Sequence, residues 1–123
     1  MTKPISYMVL FNTISELLTD GYPTIEQTVD RLGVSVPSLQ RSLHELGFTY
    51  SEVVEDIRLG QACLLLRNPD ISVGKAAALL AYKDSSSFSR AFGRWMNVPP
   101  QAYRRRYQEK VHRSRQQHKT DDA

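Results

Sequence analysis

The sequence contains little cysteine and no long hydrophobic run. Its 123 residues include a single cysteine, Cys63, which excludes an intrachain disulfide framework and the common zinc sites that need two or more cysteine ligands. The longest apolar stretches, at 8–11 and 76–82, fall far short of the roughly 18 residues that a membrane span requires. The N-terminus also lacks a cationic segment followed by an apolar stretch, the pattern of an export signal. These absences predict a cytoplasmic protein with no membrane partner.

Groupings of side chains that would support catalysis or hold a cofactor are missing from the sequence as well. The serines at 85–87 have no accompanying histidine and acid in the pattern that activates a nucleophile, so we interpret them as a helix cap and a polar helix face. His44, His112 and His118 lack the spacing of metal ligands. The sequence therefore predicts a protein that is not an enzyme and that binds no metal or other cofactor.

Positive charge is concentrated toward the end of the chain, although the net charge is only +3. Residues 1–60 carry four basic and eight acidic side chains, whereas residues 88–119 carry nine basic side chains and a single acidic one, Glu109. Such a segment is typical of a surface that binds a polyanion, and it is equally typical of a solubilising tail. Charge alone leaves both interpretations open.

Apolar residues recur at helical spacing along the chain, and no stretch alternates convincingly with period two, so the fold is predicted to be all-α. Capping residues and helix breakers delimit about seven helices. These helices are expected near residues 5–18, 24–32, 36–46, 50–67, 72–80, 84–96 and 100–110. The aromatic residues Phe88, Phe92 and Trp95, together with Tyr103 and Tyr107, have the spacing of a buried core.

An internal repeat is the most informative feature of the sequence. When Thr24 is placed on Ser72, the caps and the apolar positions of the two short helices coincide at an offset of 48 residues. Beyond the turn the offset is 49, and Arg41 coincides with Arg90. Each unit is a capped helix, a short turn and a second helix, which is the layout of a helix-turn-helix motif that binds DNA. Duplicated helical hairpins with a purely structural role remain the alternative.

Two segments of the chain resemble AraC-type transcription regulators. The similar residues are Gly33-Val-Ser35, Leu39-Gln-Arg41 and Gly47 at the first motif, and 81–92, Val98-Pro-Pro100 and Tyr103-Arg104 at the second. The resemblance covers about residues 22–107. It implies two helix-turn-helix subdomains joined by a central linker helix, each of which places a recognition helix in one of two successive major grooves on one face of the DNA.

The residue pattern and the resemblance together predict a division of the chain into segments. These are an N-terminal helix at 1–21, the first helix-turn-helix at 22–49, the linker helix at 50–68, the second helix-turn-helix with a C-terminal helix at 69–111, and a disordered tail at 112–123. Three positions depart from the family pattern, because Ala81 and Asn97 stand where glycine is usual and Pro99 stands where a small polar residue is common. Ala81 costs up to about 1 kcal/mol if its turn needs a positive φ.

The exposed faces of helices 36–46 and 84–96 provide the candidate base-reading residues. These are Pro37, Ser38, Gln40 and Arg41 on the first helix, and Ser85, Ser86, Ser87 and Arg90 on the second. Glutamine can form two hydrogen bonds with adenine and arginine can do so with guanine, whereas serine makes shorter and more permissive contacts. The resemblance places base contacts at Pro37, Gln40, Arg41, Ser86, Ser87 and Arg90. Lys83, Arg94 and Arg104 lie near helix ends and are expected to contact phosphates.

The function expected from these features is sequence-specific binding to double-stranded promoter DNA in a bacterial cytoplasm, with association to the nucleoid when bound. The resemblance implies a transcription regulator, more commonly an activator, with RNA polymerase as a further expected partner. It also implies an effector or dimerisation domain if the chain is a fragment. The alternative is a helical protein-interaction module with a basic surface.

Overall fold

The computed structural model describes the backbone of residues 5–121 and the side chains of residues 5–115. Its helices are α1 (Tyr7–Leu17), a short 3-10 helix (Leu18–Asp20), α2 (Ile25–Leu32), α3 (Val36–Glu45), α4 (Tyr50–Leu66), α5 (Val73–Leu79), α6 (Ser85–Met96) and α7 (Pro100–Asp121). The described part of the chain contains no β-strand. The prediction of an all-α fold with seven helices is confirmed.

Local side-chain chemistry sets the ends of α2 and α3. Thr24 and Gln27 form a reciprocal capping box, in which the Gln27 N–H donates to Thr24 Oγ1 at 3.2 Å and the Thr24 N–H donates to Gln27 Oε1 at 3.0 Å. Gly33 ends α2 in the left-handed region, with φ 68°. Ser35 then caps α3 by accepting a hydrogen bond from the Ser38 N–H. The capping box, the left-handed Gly33 and the Ser35 cap thus define the ends of the two helices of the first pair.

The second helical pair is built in the same way. Ser72 caps α5 by accepting from the Lys75 N–H at 3.0 Å, and Asp84 caps α6 by accepting from the Ser87 N–H at 2.7 Å. Between the two helices Ala81 adopts φ 62°, so this turn does require the left-handed region and the strain predicted for alanine is present. Asn97 ends α6 with φ 60°.

Two hydrophobic cores share the helix α4. Val53, Val54 and Ile57 belong to a core that also contains Ile14, Leu39 and Leu43. Leu59, Ala62 and Leu66 belong to a second core that contains Phe88 and Phe92. Seventeen residues of α4 span about 25 Å, so this helix is the spine that connects both helical pairs.

Tyr50, at the start of α4, connects this helix to the first helical pair through hydrogen bonds of its hydroxyl group. Its hydroxyl donates to the backbone oxygen of Pro23 at 2.6 Å and lies 2.7 Å from Thr28 Oγ1. Burial raises the pKa of the Tyr50 phenol above its ordinary value of 10.0. The hydroxyl therefore stays protonated and keeps its hydrogen bond across the physiological range of pH.

Two sequence-based expectations differ from the structure. Trp95 was expected in the core, but it is 43% exposed, because it lies in the last turn of α6, where its neighbour Met96 packs against the second core instead. The segment 112–123 was expected to be disordered, but α7 continues to Asp121. No glycine or proline follows Pro100, and arginine, glutamine and lysine favour helix, so the sequence contains nothing that ends α7 earlier. Residues 122–123 of that segment lie outside the described part, as do 1–4 at the other end.

Candidate nucleic-acid interface

The helix α3 turns one face to the first core and leaves the opposite face open. Leu39 and Leu43 are buried, whereas Pro37, Gln40 and Arg41 are exposed. These three predicted readers therefore share one accessible surface. Ser38, the fourth predicted reader, is half-buried, and its hydroxyl accepts a hydrogen bond from Ser35 Oγ at 2.9 Å. Because Ser38 takes part in the helix cap, its hydroxyl is less available to a base than the other three side chains.

The helix α6 repeats this division of faces. Phe88 and Phe92 are fully buried, whereas Ser85, Ser86 and Arg90 are exposed. Ser87 is half-buried and faces the Asp84 cap. Hydrogen bonds from the backbone and the side chain of Ser87 hold the pKa of Asp84 below its ordinary value of 3.8. Asp84 is thus ionised at neutral pH, and its negative charge stabilises the N-terminus of α6.

Arg41 and Arg90 occupy matching positions on these two open faces. Neither arginine forms a hydrogen bond or an ion pair with any residue that the structure describes. Salt bridges within the described part are confined to Arg31 with Glu16, at 2.9 Å. Lys83 and Arg94 are likewise exposed, beside the two ends of α6. The two predicted guanine readers and these two predicted phosphate contacts therefore retain their full hydrogen-bonding capacity.

Arg104 is placed differently from the other predicted phosphate contacts. Its Nε donates to the backbone oxygen of Leu66 at 3.0 Å, and its Nη2 donates to the backbone oxygen of Ile71. The side chain is half-buried and satisfies carbonyls at the end of α4 and before α5. These contacts favour a structural role for Arg104 over the predicted phosphate contact. The sequence could not show this, because the accepting carbonyls lie 38 and 33 residues away along the chain.

A groove beside α3 was not predicted from the sequence. It has a volume of about 440 Å³ and runs from Pro37, Gln40 and Arg41 to Phe48 and Thr49. Phe48 is 44% exposed, so an aromatic surface borders the reading face. The sequence contained one indication of this surface. Phe48 directly follows Gly47, where the predicted helix ends, so this aromatic residue belongs to none of the predicted buried helix faces.

Among the residues that the structure describes, none of the helices combines the length and the hydropathy that a membrane span requires. The same residues contain no group of three or more histidine, cysteine, aspartate or glutamate side chains that could hold a metal ion. Cys63 is half-buried and packs against the second core.

Comparison with known proteins identifies the arrangement. A family model described as a helix-turn-helix domain matches residues 28–106, a segment that includes most of α2 and all of α3–α6. The curated ornithine utilization regulator of Pseudomonas aeruginosa is 39% identical over 83 residues, which are 68% of this chain and 24% of that protein. The chain belongs to the AraC-type helix-turn-helix family of transcription regulators. The chain is a DNA-binding domain of such a regulator and not an enzyme, and this assignment is favoured over the protein-interaction module that the sequence left as the alternative.

Other AraC-type relatives agree with this assignment. The HTH-type transcriptional activator RhaR of Mannheimia succiniciproducens is 33% identical over 75 residues, which are 60% of this chain and 27% of that protein. The solved C-terminal domain of AraT, a response regulator from Geobacillus stearothermophilus, has a TM-score of 0.69 and 28% identity, covering 84% of this chain and 88% of that one. The match spans about a quarter of the length of the first two curated relatives, the ornithine utilization regulator and VqsM of Pseudomonas aeruginosa.

Proposed function

We propose that this AraC-type domain binds a non-palindromic site in double-stranded promoter DNA as a monomer, with α3 and α6 in adjacent major grooves. The observation that carries this proposal is the pair Arg41 and Arg90. They stand at the same position of two helix-turn-helix units, both are exposed, and neither has a hydrogen-bonding partner in the described part of the chain. A guanidinium in this state can donate two hydrogen bonds to the N7 and O6 atoms of guanine.

The remaining contacts are assigned by exposure. Pro37 and Gln40 accompany Arg41 as base contacts in the first groove, and Ser85 and Ser86 accompany Arg90 in the second. The exposed cations Lys83 and Arg94 flank α6 and contact phosphates. Ser38 and Ser87 support the caps that orient the two helices, and any contact that they make with a base is secondary.

We infer the wider role of the protein from the names and lengths of its relatives. Several relatives are named transcriptional activators, which supports activation as the outcome of DNA binding and RNA polymerase as a partner. The relatives are about four times as long as the segment they share with this chain, which supports an effector or dimerisation domain if this chain is part of a longer regulator. A bacterial cytoplasm, with association to the nucleoid on binding, fits a regulator of this family.

Binding to selected DNA tests the assignment of the readers. Duplexes are first selected from a random pool with residues 1–123, and affinity is then measured on the selected and a scrambled duplex across a salt series. We expect Arg41→Ala and Arg90→Ala each to lose about 1–3 kcal/mol on the selected duplex and to relax discrimination at one or two base pairs.

The matched control is Arg106→Ala, which removes the same charge from an exposed position on α7. We expect this variant to change its affinity for both duplexes by similar, small factors, because a charge away from the reading faces contributes only non-specific attraction. Equal losses on both duplexes for Arg41→Ala and Arg90→Ala would show that these arginines do not read bases. Failure to select any duplex would contradict the proposal as a whole.

A further inference from the structure

The linker residue Arg58 lies at the boundary between the two cores. Its neighbour on one side, Ile57, is buried in the first core, and its neighbour on the other side, Leu59, is buried in the second. Arg58 itself is half-buried, and neither the sequence pattern nor the proposed DNA contacts gave it a role. Its position on the shared spine brings it within reach of both helical pairs.

Arg58 holds the turn between α5 and α6 with two hydrogen bonds. Its Nε donates to the backbone oxygen of Leu80 at 2.9 Å, and its Nη2 donates to the backbone oxygen of Ala81 at 3.1 Å. The planar guanidinium can hold two adjacent acceptors in a fixed geometry, which the ammonium group of lysine cannot do. The same turn contains the left-handed Ala81, so Arg58 binds to the strained point of the second helix-turn-helix.

Arg58 also lies between one tyrosine from each half of the domain. Its Cζ atom is 3.6 Å from the centroid of the Tyr82 ring and 5.4 Å from the centroid of the Tyr22 ring. Tyr22 lies shortly before α2, the first helix of the first helix-turn-helix, and Tyr82 lies in the turn between α5 and α6 of the second. A guanidinium over an aromatic face is attracted by the ring quadrupole at these distances. One cation therefore contacts both halves of the domain.

Packing places this contact where the two halves meet. Among the described hydrophobic residues that pack against the first core, Ala81 is the one that lies beyond α4. The Ala81 carbonyl is also an acceptor of Arg58. Arg58 therefore contacts the point at which the second helical pair meets the first core, while it belongs to neither core itself.

We propose that Arg58 is a positioning residue that fixes the orientation of the second helix-turn-helix relative to the first, and so matches α3 and α6 to two half-sites at once. The structural part of this inference is independent of DNA. Its consequence for recognition rests on the proposed function. Arg58 acts through the placement of the two recognition helices and touches no base.

The first experiment measures orientation without DNA. Residual dipolar couplings of backbone amides are recorded for the wild-type chain, Arg58→Met and Tyr22→Ala, after amide spectra show that both cores remain folded. We expect the couplings of α2–α3 and α5–α6 to fit one alignment tensor in the wild type and to require two different tensors in Arg58→Met. Tyr22→Ala, which removes only an exposed ring, is expected to shift the fit in the same direction by a smaller amount.

The matched control is Arg67→Met, nine residues further along the chain. Arg67 is exposed and lies over the ring of Tyr107 at 5.1 Å, entirely within the second half. This variant removes the same charge and is expected to keep the wild-type tensor. If Arg58→Met does not fold, Tyr22→Ala decides the question. A single wild-type tensor in Tyr22→Ala, and in Arg58→Met where it folds, would overturn the inference.

The second experiment measures the cost of misorientation on DNA. The probes are a duplex selected by the wild-type chain and the same duplex with one half-site scrambled. We expect Arg58→Met to lose about tenfold on the selected duplex and less than about twofold on the half-scrambled one, because the second reader no longer arrives pre-oriented. Equal losses on both duplexes would overturn the role in recognition. If the wild type selects no duplex, the proposed function fails, while the dipolar couplings still decide the role of Arg58.

Discussion

At the scale of single residues, arginine occupies distinct environments in this domain, and each environment decides what the positive charge can do. Arg41 and Arg90 are exposed and have no hydrogen-bonding partner among the described residues, so their donors are available to a ligand. Arg58 and Arg104 are half-buried and each donates to two backbone carbonyls. Counting positive charges along the chain cannot distinguish these two groups.

Replacement of Arg104 by alanine tests its structural role. We expect Arg104→Ala to lower the free energy of unfolding by about 2 kcal/mol, because the carbonyls of Leu66 and Ile71 lose a charged donor. Urea denaturation measures the change. The control is the exposed neighbour Arg105→Ala, which is expected to stay within about 0.5 kcal/mol of the wild type. Wild-type stability of Arg104→Ala, combined with weaker binding to all DNA, would instead support the phosphate contact that the sequence predicted.

The cap residue Asp84 gives an expected pH dependence. Hydrogen bonds from Ser87 lower its folded-state pKa below 3.8, so the cap contributes stability above that pH and loses it as the pH falls through the folded-state value. Asp84→Asn retains a capping oxygen without a titrating carboxyl group. We expect the difference in unfolding free energy between wild type and Asp84→Asn to shrink between about pH 5 and pH 2. A difference that is constant over this range would show that the carboxylate charge adds nothing to the cap.

At the scale of helices and turns, glycine has opposite effects at two positions of this fold. Gly33 ends α2 with φ 68°, whereas Gly60 lies within α4, and a Cβ atom added at either position would meet no atom within 4 Å. Backbone conformation is therefore the difference between them. We expect Gly33→Ala to lower the free energy of unfolding by about 1 kcal/mol and Gly60→Ala to raise it by about 0.5–1 kcal/mol. Thermal and urea unfolding measure both, and a shift of the same sign in both would contradict the argument.

The ends of a helix could be predicted where they depend on residues that are close together in the sequence. The capping box of Thr24 with Gln27 and the left-handed end at Asn97 involve residues at most four positions apart, so the sequence displays them directly. The end of α7 was missed because the prediction required an apolar stripe, whereas helix-favouring polar residues and the absence of a breaker continue the helix. Trp95 was missed because helical spacing gives the face of a residue but does not show where the neighbouring helices end.

At the scale of the whole molecule, the internal repeat made the candidate reading faces predictable. Leu39 and Phe88 occupy equivalent positions of the repeat, and both are fully buried. These positions therefore show which sides of α3 and α6 face the cores and which sides are open. The roles of Arg58 and Arg104 were not predictable, because their partners lie 22 to 38 residues away along the chain. Contacts of this range depend on the packing of helices, which a single sequence does not specify.

The shared helix α4 leads to a prediction about the spacing of the two half-sites. Because one helix of about 25 Å carries both pairs, the distance between α3 and α6 is expected to match one turn of DNA, about 34 Å, and to adjust little. We expect insertion of about 5 base pairs between the half-sites to reduce affinity to that of a single half-site, since the second half-site then faces away. Insertion of about 10 base pairs returns the second half-site to the same face but moves it one turn further, so we expect an equal loss.

The second insertion separates a monomer with two fixed readers from a flexibly joined pair of readers, which would recover binding after a whole turn. Affinity is measured by fluorescence anisotropy, and sedimentation of the complex gives the stoichiometry, expected to be one chain per duplex. A duplex with a scrambled spacer of the original length controls for effects of the spacer sequence. Recovery of full affinity at about 10 inserted base pairs would show that α4 does not hold the two readers at a fixed separation.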